Sequence, residues 1–116
     1  MKPDTLGQFE QLVLTAVTLL RDKGYTLTIH KKVEELSGKR VNLGSVYVTL
    51  DRLEDKGCLA SWLGDPTPER GGRPKRFYRL LDAGGRALEE SASTARRVYE
   101  ALDESWGLLK WRRNAN

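Results

Sequence analysis

Between two short apolar runs the chain reads Pro66-Thr67-Pro68-Glu69-Arg70-Gly71-Gly72-Arg73-Pro74-Lys75-Arg76. Three prolines and two glycines so close together cannot continue a helix: each proline lacks an N–H and fixes φ, and glycine has the most backbone freedom to lose. The segment must therefore be an exposed, partly stiffened connection. The flanking runs, Cys58-Leu59-Ala60-Ser61-Trp62-Leu63 and Phe77-Tyr78-Arg79-Leu80-Leu81, are bounded by Gly and Pro and rich in aromatic and aliphatic residues. They predict a β-hairpin with a long tip. The tip segment holds four basic residues and one acid, which is +3 of the chain's formal net charge of +4. Charge of this kind either keeps a loop soluble or meets an anionic partner, and the rest of the chain decides between the two.

With 116 residues the chain is long enough for one domain with a modest core. Its 39% hydrophobic and 31% charged residues fit a soluble globular protein. Cys58 is the single cysteine and His30 the single histidine, which excludes an internal disulfide and a metal site of four such ligands. No apolar run approaches the ~18 residues of a membrane span. Leu12 to Leu20 could imitate a signal-peptide core, but Glu10 and Gln11 precede it and Arg21-Asp22-Lys23 replaces the small residues of a cleavage site. It reads as a buried helix, and the cytoplasm is the expected compartment.

Upstream of the hairpin the periodicity is helical. Thr5-Leu6-Gly7-Gln8 has the spacing of a capping box. Leu6, Phe9, Val13, Ala16, Val17 and Leu20 then form one apolar stripe, and Gly24 is placed to end the helix in a left-handed cap. Leu12, Leu14 and Leu19 lie off that stripe, so this helix has a second contact to make, with another subunit as the candidate. A short second helix is predicted over residues 26–37, with Ile29, Val33 and Leu36 inward and Gly38 as its stop. Lys31, Lys32, Lys39 and Arg40 lie outside that stripe. A third helix follows the N-cap residue Asn42 and stops before Gly57. Val46, Leu50 and Leu53 face its core, and Ser45, Val48, Thr49, Arg52 and Lys56 are read as its outward side. After the hairpin, Asp82 is placed to cap a long helix. Leu88, Ala92, Ala95, Tyr99, Leu102, Trp106 and Leu109 recur on it at alternating four- and three-residue steps, a heptad seam that needs a partner. The partner is either the chain's own first helix or, as the better reading, a second chain.

The fold expected is mainly α with a small β-hairpin: a winged helix-turn-helix over residues 1–81 and a long dimerisation helix over 82–116, together one structural unit. Such an arrangement suits double-stranded DNA, whose major groove is ~12 Å wide and admits one helix. Arg70, Arg73, Lys75 and Arg76 would lie along phosphates and displace counterions. Ser45 and Thr49 can hydrogen-bond a base edge or a phosphate, Val48 can touch a thymine methyl, and Arg52 can fork onto guanine or pair with Asp51 or Asp55. Lys56 extends the cationic end of that face. Trp62, Phe77 and Tyr78 are read as hairpin packing.

The segments Leu6-Gly-Gln-Phe-Glu10, Val41-Asn-Leu-Gly-Ser-Val-Tyr-Val-Thr-Leu-Asp-Arg-Leu-Glu-Asp-Lys-Gly57 and Gly71-Gly-Arg-Pro-Lys-Arg-Phe-Tyr-Arg-Leu80 resemble the PadR family of winged-helix transcriptional regulators. The resemblance runs from about residue 6 to residue 90 and is to the short type, with a single C-terminal helix. It implies a homodimer joined through the first and last helices, Leu12 included, binding palindromic operators and usually repressing. It places Tyr47 near the DNA backbone, while the helical wheel puts Tyr47 on the flank, leaving phosphate contact and partial burial both open. It also implies a bacterial cytoplasmic protein held at the nucleoid through DNA. Three positions depart from the family pattern: Val48 stands where many members have proline, Leu81 replaces the usual threonine, and Gly84 is followed by Gly85.

Other functions fit less well. His30 sits among lysines with no nucleophile near it in sequence, and no phosphate-binding glycine motif opens a helix, so no enzyme is expected. A winged-helix module that binds proteins rather than DNA is the alternative, because the fold alone does not dictate its ligand. The exposed faces lack the aromatic platform of a single-strand or RNA binder. No cofactor is expected. Trp106, Leu108, Leu109 and Trp111 could line a site between subunits for a small, flat, apolar effector.

Overall fold

The computed structural model describes residues 6–65 and 73–115, with side chains through residue 107. The chain order is α1 (Gln8–Leu20), a 3₁₀ turn (Arg21–Lys23), α2 (Thr26–Ser37), α3 (Leu43–Asp55), β1 (Leu59–Leu63), β2 (Arg76–Leu80) and α4 (Asp82–Ala115). This is the winged helix-turn-helix with a long terminal helix that the sequence predicts. The strands pair antiparallel, with Leu59 opposite Leu80 and Leu63 opposite Arg76.

The core is one cluster. Val13, Leu14, Ala16 and Val17 of α1 meet Ile29 and Val33 of α2, Val46, Leu50 and Leu53 of α3, and Cys58, Leu59 and Tyr78 at the hairpin. Fully burying an aliphatic side chain contributes roughly 1.5–3 kcal/mol, so α1, which touches every other layer, is the element the rest packs around. Leu14, expected off the stripe, is completely buried, because α1 is covered by α2 on one side and by α3 and the hairpin on the other. Leu12 is half-buried against the core and Leu19 is exposed. Leu36, expected inward, is 42% exposed.

Local chemistry sets the helix ends. The N-cap of α1 is Gly7 rather than Thr5, which lies outside the described residues; the Glu10 carboxylate accepts the Gly7 N–H at 3.0 Å. Gly24 is extended (φ −86°), not left-handed; Arg21 takes the positive φ of 57° where α1 passes into the 3₁₀ turn. α2 ends as expected, with Gly38 at φ 70° and its N–H on the Glu34 carbonyl. Asn42 caps α3 through its side chain, which accepts the Ser45 N–H at 3.2 Å. Between α2 and α3 a clamp holds the turn. The Val41 carbonyl accepts from Nε2 of His30 at 2.7 Å, and the Val41 N–H donates to Glu34 at 2.9 Å. A carbonyl only accepts, so Nε2 carries the hydrogen and His30 is a structural residue.

α4 begins one residue earlier than a cap at Asp82 would allow: the Leu81 carbonyl already accepts the Gly85 N–H, so Leu81 is the N-cap and Asp82 lies in the first turn. The helix meets its own body mainly through α1, with Leu88 packed against the core and Gly84 at its root against Cys58. Beyond it Ala92, Ala95, Tyr99, Leu102 and Trp106 are exposed along the helix. The radius of gyration is 18.1 Å, against about 13 Å for a compact chain of this length. α4 projects from the body.

The two glycines at the root of α4 differ. A Cβ on Gly84 would collide with the Cys58 carbonyl oxygen, whereas one on Gly85 would sit 3.6 Å from Leu80 Cδ2, an ordinary contact. Gly84→Ala should therefore lower stability by roughly 1–3 kcal/mol. Gly85→Ala should leave it unchanged or raise it by up to ~1 kcal/mol, the helix preference of alanine. Thermal unfolding of the two single variants reads the difference in sign.

Candidate nucleic-acid interface

The core stripe of α3 fixes which of its residues face out. Val46, Leu50 and Leu53 are completely buried, and Thr49 is 5% exposed beside them. Thr49 is thus almost wholly covered, at the floor of the hollow it lines with Ser45, Val48 and Arg52. Lys56 is also drawn off the outward face: its ammonium donates to Glu10 Oε2 of α1 at 3.0 Å. The outward face is centred instead on Gly44, Val48 and Asp51, all exposed, with Tyr47 on the wing side and Ser45 and Arg52 on the α1 side.

Two shallow concavities flank that centre. On one side Tyr47 and Asp51 share a hollow with Arg73, Lys75 and Arg76 of the wing, Leu63 of β1 and the first residues of α2. On the other, Asn42, Gly44, Ser45, Val48, Thr49 and Arg52 share a hollow with Phe9 of α1. Val48, 55% exposed, is part of the second hollow and follows Tyr47 of the first. The wing base and the outward side of α3 thus form one continuous surface. Tyr47 is 49% exposed and faces the wing, the residue sequence reasoning left open.

The wing cations are held differently from one another. Lys75 Nζ lies 4.4 Å above the Tyr25 ring, and that ring meets Phe77 edge-on. Phe77 in turn stacks on Trp62 across the hairpin, so the aromatic residues pack the wing as predicted. Arg76 Nη1 donates to Ser61 Oγ at 3.0 Å, and Ser61 Oγ donates to Glu54 Oε2 of α3 at 2.7 Å. Arg73 is exposed and makes no ion pair among the described residues. Arg70 lies outside the described residues, as do the side chains of Leu108, Leu109 and Trp111. Among the described residues no group of His, Cys, Asp or Glu could hold a metal ion, and no helix is long and apolar enough to cross a membrane.

Residues 14–90 match the transcriptional regulator PadR-like family. The chain belongs to that family. The same fold recurs in solved PadR structures. A PadR family transcription regulator from hypervirulent Clostridium difficile superposes with a TM-score of 0.70 at 23% identity, covering 84% of this chain and 97% of that one. One from Eggerthella lenta gives 0.65 at 26% identity, covering 81% and 80%. A PadR-like transcriptional regulator from Bacillus cereus gives 0.68 at 20% identity, covering 82% and 87%. No curated protein matches the sequence. Membership of the PadR-like family makes this a transcriptional regulator, and DNA is the partner that family and surface have in common.

Titration of the groups behind this surface follows their surroundings. Burial raises the Cys58 thiol and the Tyr78 phenol above their ordinary values, so both stay neutral near pH 7. Burial also pushes the Glu10 carboxyl up, but the Gly7 N–H, the Lys56 ammonium and the Arg52 charge outweigh it and bring Glu10 below its ordinary 4.5. A carboxyl lowered by folding adds stability above its unfolded pKa and loses that stability as pH falls through the lower folded value. The wild-type unfolding midpoint should therefore drop as pH falls below about 4.5. Glu10→Gln should cost roughly 1–3 kcal/mol at neutral pH, and its midpoint should depend less on acid. Thermal unfolding followed from pH 7 to pH 3 measures both.

Proposed function

We propose that the chain represses transcription as a homodimer on a palindromic operator, with α3 in the major groove and the wing on phosphates or the adjacent groove. The observation that carries the reading is the shared surface: Tyr47 and Asp51 of α3 line the same hollow as Arg73 and Lys75 of the wing. A helix laid in the groove brings such a wing base onto a phosphate strand beside it. Val48, exposed on that face, suits a thymine methyl; Ser45 and Arg52 reach the duplex from the α1 side.

The dimer reading rests on α4. Tyr99 (63% exposed), Leu102 and Trp106 continue the seam past the point where the chain's own body covers it, and Val98 is exposed beside them. A second copy would bury this strip, and Ala92 and Ala95 would permit close approach of the two helices. Two-fold pairing presents two reading surfaces to half-sites about 34 Å, one helical turn, apart, which explains a palindrome. A small apolar effector seated near Trp106 between the two subunits fits the same arrangement.

Selection from random duplex DNA at moderate salt tests the reading: enrichment of a two-fold symmetric sequence supports it, and enrichment of none turns it toward a protein-binding module. On the selected duplex Arg73→Ala should weaken binding on all sequences and reduce the salt slope by about 1. Arg52→Ala should relax one or two operator positions; a uniform loss would place Arg52 on a phosphate instead. Leu102→Asp should halve the sedimentation mass, and an unchanged mass would remove α4 from the interface.

A further inference from the structure

Arg76 sits in the basic wing and is exposed, yet its guanidinium is engaged by the neighbouring strand. On β2 it shares a face with Tyr78, which is buried, and its guanidinium reaches across the hairpin rather than outward. Nη1 donates to Ser61 Oγ at 3.0 Å, and the same hydroxyl donates to Glu54 Oε2 at 2.7 Å. One hydroxyl has one hydrogen to give and lone pairs to accept with, so both bonds are made at once without conflict. The result is a relay from the second wing strand, through the first, to the reading helix. Its two ends carry opposite charges, so Glu54 and Arg76 together contribute no net charge to the surface.

We infer that Ser61 is a positioning residue that fixes the wing against α3, and that Arg76 acts through it on Glu54 and not on DNA phosphate. The inference rests on the DNA-binding reading for its consequence, though not for its geometry. It divides the wing cations by task. Arg73 supplies affinity for any sequence. Arg76 sets the angle at which that cation arrives while α3 is seated in the groove. Glu54, an acid beside the reading face that would otherwise repel the duplex, is masked by the same contact.

The test uses the full chain on two duplexes, one mixed-sequence and one obtained by selection, with affinity measured across a salt series. Each phosphate contact adds about 0.9 to the slope of log affinity against log salt. Arg73→Ala should lower that slope by about one contact and Arg76→Ala should leave it unchanged. Ser61→Ala should change the cleavage-protection pattern where the wing meets the selected duplex, and Ser61→Thr, which keeps the hydroxyl, should restore it. A slope that falls equally for Arg76→Ala and Arg73→Ala overturns the inference, as does a Ser61→Thr footprint identical to that of Ser61→Ala when both differ from wild type. Should the wild-type chain bind neither duplex, the DNA reading itself fails, and the relay is judged by thermal unfolding of Glu54→Gln, Arg76→Ala and the double variant. Losses smaller in the double than the sum of the singles uphold the relay, and additive losses overturn it.

Discussion

The rotational setting of α3 governs everything the molecule presents to a partner. A helix has no outward side of its own; it acquires one from whichever residues are driven into the core. Here Val46, Leu50 and Leu53, with Thr49 between them, are pressed against α1 and α2. Rotating the helix would bring a charged side chain such as Asp51 or Arg52 into an apolar core, at a cost no surface contact could match. Both ends are secured as well. Asn42 and the His30–Glu34 clamp on Val41 define where α3 starts, and the Lys56–Glu10 pair ties the chain just beyond its last turn to α1. What remains free is a strip of small, aromatic and charged residues whose orientation the core dictates.

Charge on this surface is organised by attachment rather than by quantity. A basic loop in sequence suggests a row of equivalent cations, but the side chains answer to different partners. One lies over an aromatic ring, one reaches a serine on the neighbouring strand, and one has no ion-pair partner among the described residues. The aromatic stack of Trp62, Phe77 and Tyr25 stiffens the hairpin and joins it to the start of α2, where Tyr78 N–H also donates to the Gly24 carbonyl. The wing is therefore an extension of the body and not an appendage.

Most of the architecture was legible in the residues. The Pro/Gly-rich segment separated two strands, Asn42 and Gly38 marked helix ends, and the bounds of α2 agree with the spacing. Leu14, off the main stripe, reads in the sequence as marking a second contact, with another subunit as the candidate; the chain's own core makes that contact. Thr49 and Lys56 were assigned outward because threonine is read as polar and lysine as solvated. Burial of the first and pairing of the second depend on α1, which is distant in sequence. Arg76 shows a signal that was available: strand alternation puts it on the face of Tyr78. The Gly84-Gly85 pair looked like a weak helix start, and only the position of the Cys58 carbonyl shows why the first of the two is small.

That carbonyl has a mechanical consequence. The Leu81 N–H donates to it at 3.0 Å, and Gly84 lies directly against it. The root of α4 is thus packed against the residue that leads into β1, the first strand of the wing. A tilt of the long helix would press first on that contact, and through it on the hairpin. Lever and blade share a joint at Cys58.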